Sequence, residues 1–260
     1  MAEQKTVEKK NTEISVVESW SNAISNELNN ISEALPQNFN KSRFTQNVLT
    51  LMNDKPEIFR NHNGAEIMDG LMRGARYDVD FMSKECYLIE WGGKLQFHFD
   101  YTGLQKVAKK YSIRPIKDII ANVVREGDDF SVGIKDNVPV INFSPKVFGN
   151  GKIVGAFAYV IYEDGGIVYE TMSLEDLETV HRQSKAQNSP AWKNFPDRMY
   201  RKAVIRRLIR SQVKLDFENV YQTEHFYDDD AMVETPEDVI DSVAVEVEEN
   251  ANQIPFNPED

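Results

Sequence analysis

The spacing of apolar residues switches from helical to alternating and back to helical, and this switch restricts the fold more than any other feature of the chain. Residues 14–34 place Val17, Trp20, Ile24, Leu28 and Ile31 on one helical stripe, which Leu35 and Pro36 end. A second helix is expected over 41–53, with Phe44, Val48 and Leu51 on one face, and a third over 65–77, with Ile67, Leu71 and Met72. The period then falls to two. Residues 86–91 and 94–99 flank Gly92–Gly93, the pattern of a hairpin on a glycine turn. Residues 101–111 return to helix through Leu104, Val107 and Ala108. From Arg114 to Thr171 strands are expected at 117–125, 130–134, 138–143, 154–162 and 167–171, separated by turn-forming Gly, Asp and Asn. Ser173, followed by Glu175 and Asp176, is the N-cap of a helix running to about Ser184. A polar linker reaches Pro190, and a basic helix follows Pro196. Such a chain is α+β: N-terminal helices, a β-hairpin and a β-meander packed on helices.

Charge is segregated as sharply as periodicity. The whole chain has a formal net charge of -12, yet residues 193–214 carry eight Lys or Arg and one acid, Asp197. From Leu215 to Asp260 there are 15 Asp or Glu and no Lys or Arg. The other 214 residues therefore hold all 30 cations against 27 acids, a net of +3. The low whole-chain charge hides a mildly basic body with a strongly basic helix. The acidic segment after Tyr227 has few aromatics and is expected to be disordered. Three parts follow: an N-terminal helical arm at 1–33, a core at 34–227 and an acidic tail at 228–260.

Arg198, Lys202, Arg206 and Arg210 form an i, i+4 row on the basic helix, while Tyr200, Val204 and Leu208 form an opposing apolar row. Ile205, Ile209 and Val213 lie near the basic side, so this is not a plain surface helix. One explanation is a helix whose Arg stems cover a core and pair with distant acids. Another is a polyanion site, since Asp197 alone cannot neutralise the row locally. Lys109, Lys110 and Arg114 extend the basic path, although cations at a helix end also answer its dipole. Arg73, Arg76, Arg182 and Lys185 are further basic positions. Trp91, Phe97, Phe99, Tyr101 and Trp192 are candidates for base stacking, against the plainer explanation that strand aromatics form core.

Several functional classes find no support in the sequence. Gly149–Asn150–Gly151–Lys152 is followed by Ile153, not by the Ser or Thr of a phosphate-binding loop. His62, His98, His181 and His225 match no metal-ligand spacing. Asp78, Asp80, Glu85 and Glu90 are close in sequence without matching a metal motif. No catalytic residue, cofactor or metal is expected. Cys86 is the only cysteine, so no internal disulfide is possible. The longest apolar run, 153–162, is too short to span a bilayer.

Several segments, in this order, resemble the RecT family of phage single-strand annealing proteins. They are Ala34–Leu35–Pro36; Glu85 to Glu90 before the glycine turn; Tyr101, Gly103 and Leu104 with Ala108–Lys109–Lys110; and Val123 to Phe130. They continue with Met172–Ser173 to Ser184–Lys185, Ser189–Pro190 to Trp192, and Met199, Lys202, Ile205, Arg206, Arg207 and Leu208. Arg201, and Ala191 between Pro190 and Trp192, depart from the family pattern. The resemblance covers about residues 30–215. It implies ATP-independent binding of single-stranded DNA and annealing of complementary strands in phage recombination, through a duplex intermediate, in the cytoplasm of a bacterial host. It also implies a homo-oligomeric ring or filament, an annealing-protein-like core with DNA in a basic groove, and a 5′–3′ exonuclease partner. The single-stranded DNA site falls on Lys202, Arg206, Arg207, Arg198, Arg201 and Arg210, extended by Lys109, Lys110 and Arg114. A strand-coating protein that does not anneal is the alternative. The tail either competes with DNA for the basic site or docks a partner. Its Ile254–Pro255–Phe256 resembles the acidic Ile-Pro-Phe tip of bacterial single-strand binding proteins, although four residues follow it here. The host's single-strand binding protein is a further expected partner.

Overall fold

The computed structural model describes residues 2–184 and 187–217; the side chains of residues 2–15 and of Trp91 are outside the description. The acidic tail, Lys185 and His225 lie outside the described residues. The chain divides into two compact units. The first comprises Met1–Ile119, Ile161–Gly166 and the described residues from Ile209; the second comprises Ile120–Val160 and Ile167–Leu208.

The first unit is built from α1 (Ala2–Asn30), α2 (Lys41–Asp54), α3 (Pro56–Asn61), α4 (Gly64–Tyr77), the strands β1 (Cys86–Trp91) and β2 (Lys94–Phe99), and α5 (Tyr101–Tyr111). The stripe read from the sequence is the buried face of α1, where Ile24 and Leu28 are fully inaccessible. The helix begins earlier than the stripe, at Ala2. Asn40, Asn63 and Asp100 cap α2, α4 and α5 by accepting from backbone N–H groups of the first turn. The sequence does not announce α3, a single short helix opened by Pro56.

The β1–β2 hairpin forms in the expected register, Cys86 opposite Phe99 and Trp91 opposite Lys94. Gly92 and Gly93 both take positive φ, as a two-residue turn of this hand requires. Tyr77, Phe81, Phe97 and Phe99 meet edge to face between α4 and the hairpin. In α5, Gly103 lies so close to the carbonyl of Glu85 that a Cβ there would stand 2.0 Å from its oxygen. The chain from Ile209 rejoins this unit. Ile113 donates to the carbonyl of Lys214 and Asp216 to that of Tyr111, and Phe217 packs on Tyr77 and Tyr111.

The second unit holds most of β3 (Ile116–Arg125), β6 (Ile153–Tyr162) and β7 (Ile167–Ser173), with β4 (Asp129–Lys135), β5 (Val138–Ser144), α6 (Leu174–Gln183), α7 (Pro190–Asn194) and most of α8 (Pro196–Gln212). The α+β class expected from the sequence is the class found. Every strand run falls where the alternation puts it, but their pairing refines the expected meander. β3, β6 and β7 form one sheet in that order, and β4 with β5 forms a separate antiparallel hairpin. The ten-residue β3 and β6 lie side by side, with the seven-residue β7 on the other edge of β6. Central β6 buries Ala156, Phe157 and Ala158 in succession, so both of its faces are covered. Phe130 and Phe143, paired across the hairpin, pack on Phe157 at 4.6 and 4.9 Å between ring centres. Ser173 caps α6, as the sequence predicts, and Asp176 completes a capping box with it.

Candidate nucleic-acid interface

Pro196 opens α8, Asp197 sits in its first turn and Arg210 in its last, the order favoured by the helix dipole. Its apolar residues do not share one stripe. Met199, Tyr200, Ala203, Val204, Ile205, Leu208 and Ile209 are all buried. A helix that is apolar nearly all round is a core helix.

That placement divides the basic row. Lys202 and Arg206 are 9% exposed, while Arg198 and Arg210 at the two ends are half-buried. Arg207, outside the row, is the most accessible cation between Met199 and Ile209, with 47% of its side chain exposed. Arg201 is next, at 43%. The two accessible cations beside the row each meet an acid. The Arg207 Nε stands 3.7 Å from Glu170 Oε1 on β7, and Arg201 lies 3.7 Å from Asp197 one turn earlier. Arg198 lies over the Phe195 ring at 5.1 Å, and Lys202, Arg206 and Arg210 have interaction partners as well. Within the basic segment itself the sequence offers only Asp197 as a counter-charge; the acid for Arg207 comes from a strand 37 residues earlier. Arg207 also lies near Asp176. That carboxyl is held below the usual range mainly by its hydrogen bonds with Ser173, with the Arg207 charge adding to the effect.

Lys109, Lys110 and Arg114 fall in the first unit, and each meets an acid. Lys109 pairs with Asp118 at 3.2 Å and Lys110 pairs with Asp78. Arg114 grips Asp164 with two hydrogen bonds of 2.6 and 2.5 Å and covers the Tyr162 ring at 4.2 Å. Gly166 makes room for this guanidinium, since a Cβ there would stand 1.8 Å from Arg114 Nη2. Asp164 is held below the ordinary carboxylate range first by Arg114 and then by the Gly166 N–H. Both Lys109 and Lys110 lie in the last turn of α5, where the dipole also favours them. Arg73 pairs with Asp69 and Arg182 with Glu178, each one turn away.

The aromatics considered for stacking divide the same way. Trp192 is buried, stacks on His181 at 4.2 Å and donates from Nε1 to Ser184. Phe97 and Phe99 belong to the core cluster of the first unit. The acids Asp78, Asp80, Glu85 and Glu90 serve separate partners. Asp80 accepts from Asn47, Met82 and Ser83, Glu85 holds Lys106, and Glu90 lies beside His62. Among the described residues, no group of three or more His, Cys, Asp or Glu is placed to hold a metal ion. Burial pushes the Cys86 thiol well above its ordinary value. No described helix is long and apolar enough to cross a membrane. Sequence reasoning passes over one exposed group, Val147 and Phe148, at the turn after β5. Phe148 is 97% exposed, and its only signal is two apolar residues at positions that turns usually give to Gly, Asn, Asp or Ser.

Comparison with known proteins bears on what such a surface serves. The chain is 29% identical over 133 residues to Protein RecT of Escherichia coli (strain K12), a stretch that covers 48% of this chain and 48% of that relative. The chain thus aligns with about half the length of the curated relative it matches. A family model described as RecT matches residues 42–240, which take in α2 from its second residue and every described element from α3 to α8. The chain belongs to the RecT family.

Proposed function

We propose that this protein binds single-stranded DNA and anneals complementary strands in recombination, without nucleotide hydrolysis and without covalent chemistry of its own. The observation that carries this is the family match running through both units and the whole of α8. The physical task is to overcome repulsion between two phosphate chains. Cations on a rigid helix screen the first strand, and contacts to phosphate rather than to base edges keep the process blind to sequence. Arg201 and Arg207, with Arg198 and Arg210 at half-buried positions, are the proposed phosphate contacts. Lys202 and Arg206 add positive charge from within the packed helix and orient it. Within the first unit, Lys109, Lys110 and Arg114 are proposed as further phosphate contacts, weaker because a phosphate must displace their acids.

The protein acts as a homo-oligomeric ring or filament, which aligns many sites along a strand. A 5′–3′ exonuclease exposes that strand, and a single-strand binding protein of the host is displaced from it, in the bacterial cytoplasm. The parts divide as an arm at 1–33, an annealing core at 34–227 and a regulatory acidic tail at 228–260. Two complementary oligonucleotides mixed with the protein in the absence of ATP test this. Native gels should show duplex and denaturing gels intact strands. Strands that stay single would assign the protein to coating, and shortened strands would make it a nuclease.

A further inference from the structure

The turn after β5 presents an aromatic ring with almost no protein around it, on a backbone that is firmly held. Asp128 accepts from the N–H groups of Arg125 and Lys146, both at 2.8 Å, and these bonds keep its carboxyl below the ordinary range. Gly149 donates to the carbonyl of Lys146 at 2.8 Å and closes the turn. Glu126 donates to the carbonyl of Lys152 at 2.9 Å, and Arg125 reaches the carbonyl of Gly151 at 3.2 Å. Gly151 lies against Glu126, where a Cβ would stand 2.2 Å from its carbonyl oxygen. The stem is therefore fixed on both sides, and its two central residues, Val147 and Phe148, are 76% and 97% exposed. An exposed phenyl ring forgoes on the order of 2 kcal/mol of burial. A rigid turn that maintains this exposure is built to present the ring.

We propose that Phe148 is a stacking contact for a base of single-stranded DNA. This rests on the DNA-binding reading above. Aromatic faces stack on any base, which suits a protein that must ignore sequence. Lys146 and Lys152 flank Phe148 in sequence, and among the described residues neither has an ion-pair partner, so both are available to phosphate. The stretch from Arg125 to Lys152 nevertheless balances four Lys or Arg against four Asp or Glu. Charge does not drive this contact; stacking does. A protein partner is the poorer occupant. Of the other exposed apolar side chains of the hairpin, Ile134 and Val138 lie at its far end, where Lys135 faces Val138, and Val132 lies at its middle, whereas the turn adjoins the near end, where Asp129 faces Ser144. One ring and one valine fall well short of the roughly 800 Å² per partner that a stable interface buries.

The test compares Phe148→Ala, Phe148→Leu and Phe148→Trp for binding to an oligo-dT strand and to a mixed-sequence strand at two salt concentrations. Alanine should weaken binding to both by about 5- to 150-fold, the range for losing one stacked base, and leave the salt slope unchanged. Leucine should fail to restore it. Tryptophan should retain affinity, with its fluorescence quenched by the bound strand. Wild-type affinity in the alanine variant would overturn the contact. So would full rescue by leucine together with smaller assemblies of the alanine variant in sedimentation, which would assign the ring to a second copy of the chain. A wild-type protein that binds no single strand would instead sink the functional reading, and this contact with it.

Discussion

Replacing Arg201 and Arg207 together with alanine separates a phosphate-binding role from a structural one. Their side chains are 43% and 47% exposed, and each faces one carboxylate at 3.7 Å. Such half-exposed pairs contribute about 0.2 to 1 kcal/mol each, so the double variant should fold with its melting temperature little changed. Each lost phosphate contact on a single strand removes about 0.7 from the slope of log affinity against log salt, so the slope should flatten by about 1.4. Between 50 and 200 mM salt, the ratio of wild-type to variant affinity should therefore shrink about sevenfold. Fluorescence anisotropy with a labelled strand across a salt series measures this, with circular dichroism as the control. The matched control is Arg206→Ala. That side chain is 9% exposed inside α8, and truncating a large buried side chain costs on the order of 2 to 4 kcal/mol. An unchanged slope in the folded double variant would refute the assignment of these two arginines to DNA.

Trp192→Phe should lower stability through loss of the hydrogen bond to Ser184, yet leave strand affinity unchanged in the same anisotropy assay. Gly103→Ala should destabilise the first unit by about 1 to 3 kcal/mol in a urea melt, because its Cβ would meet the Glu85 carbonyl at 2.0 Å. Asp164 and Asp118 have lowered pKa values, the first through Arg114 and the second chiefly through the Ile119 N–H and then Lys109. Their contribution is complete above the unfolded value, about 3.9, and is lost as pH falls through the lower folded values. Melting temperature should therefore fall on acidification into that window, and less so in Asp164→Asn. Removing residues 228–260 takes away 12 acids; it should tighten strand binding at low salt, with the gain shrinking as salt screens the competition, and equal affinity at low salt would leave the tail a docking or solubility role.

The elements that local chemistry specifies are legible in the sequence itself. The Gly92–Gly93 turn and the alternation on either side set the first hairpin in its register, and Ser173 with Asp176 marks the start of α6. Pairing among the later strands is less legible, because alternation shows which residues share a face but not which strand lies beside which. The basic helix is visible as a charge cluster, and its apolar residues on several sides already speak against a surface helix. The split between buried Lys202 and Arg206 and accessible Arg201 and Arg207 is not visible. It depends on what covers each side of α8, and the carboxylate of Glu170 arrives from β7, distant in sequence. Lys109, Lys110 and Arg114 look like a basic path for the same reason: their acids, Asp118, Asp78 and Asp164, come together with them only in the fold.

The most direct measurement of the central claim loads the protein on one strand and adds the protein-free complement, each carrying one dye of an energy-transfer pair, in EDTA and without nucleotide. Duplex should form faster than it does spontaneously, at equal rates for unrelated sequences of matched composition, and the Arg201 and Arg207 double variant should lose most of the acceleration at moderate salt. A rate equal to or below the spontaneous one, with the strand fully bound, would contradict annealing and leave the protein as a strand-coating member of its family.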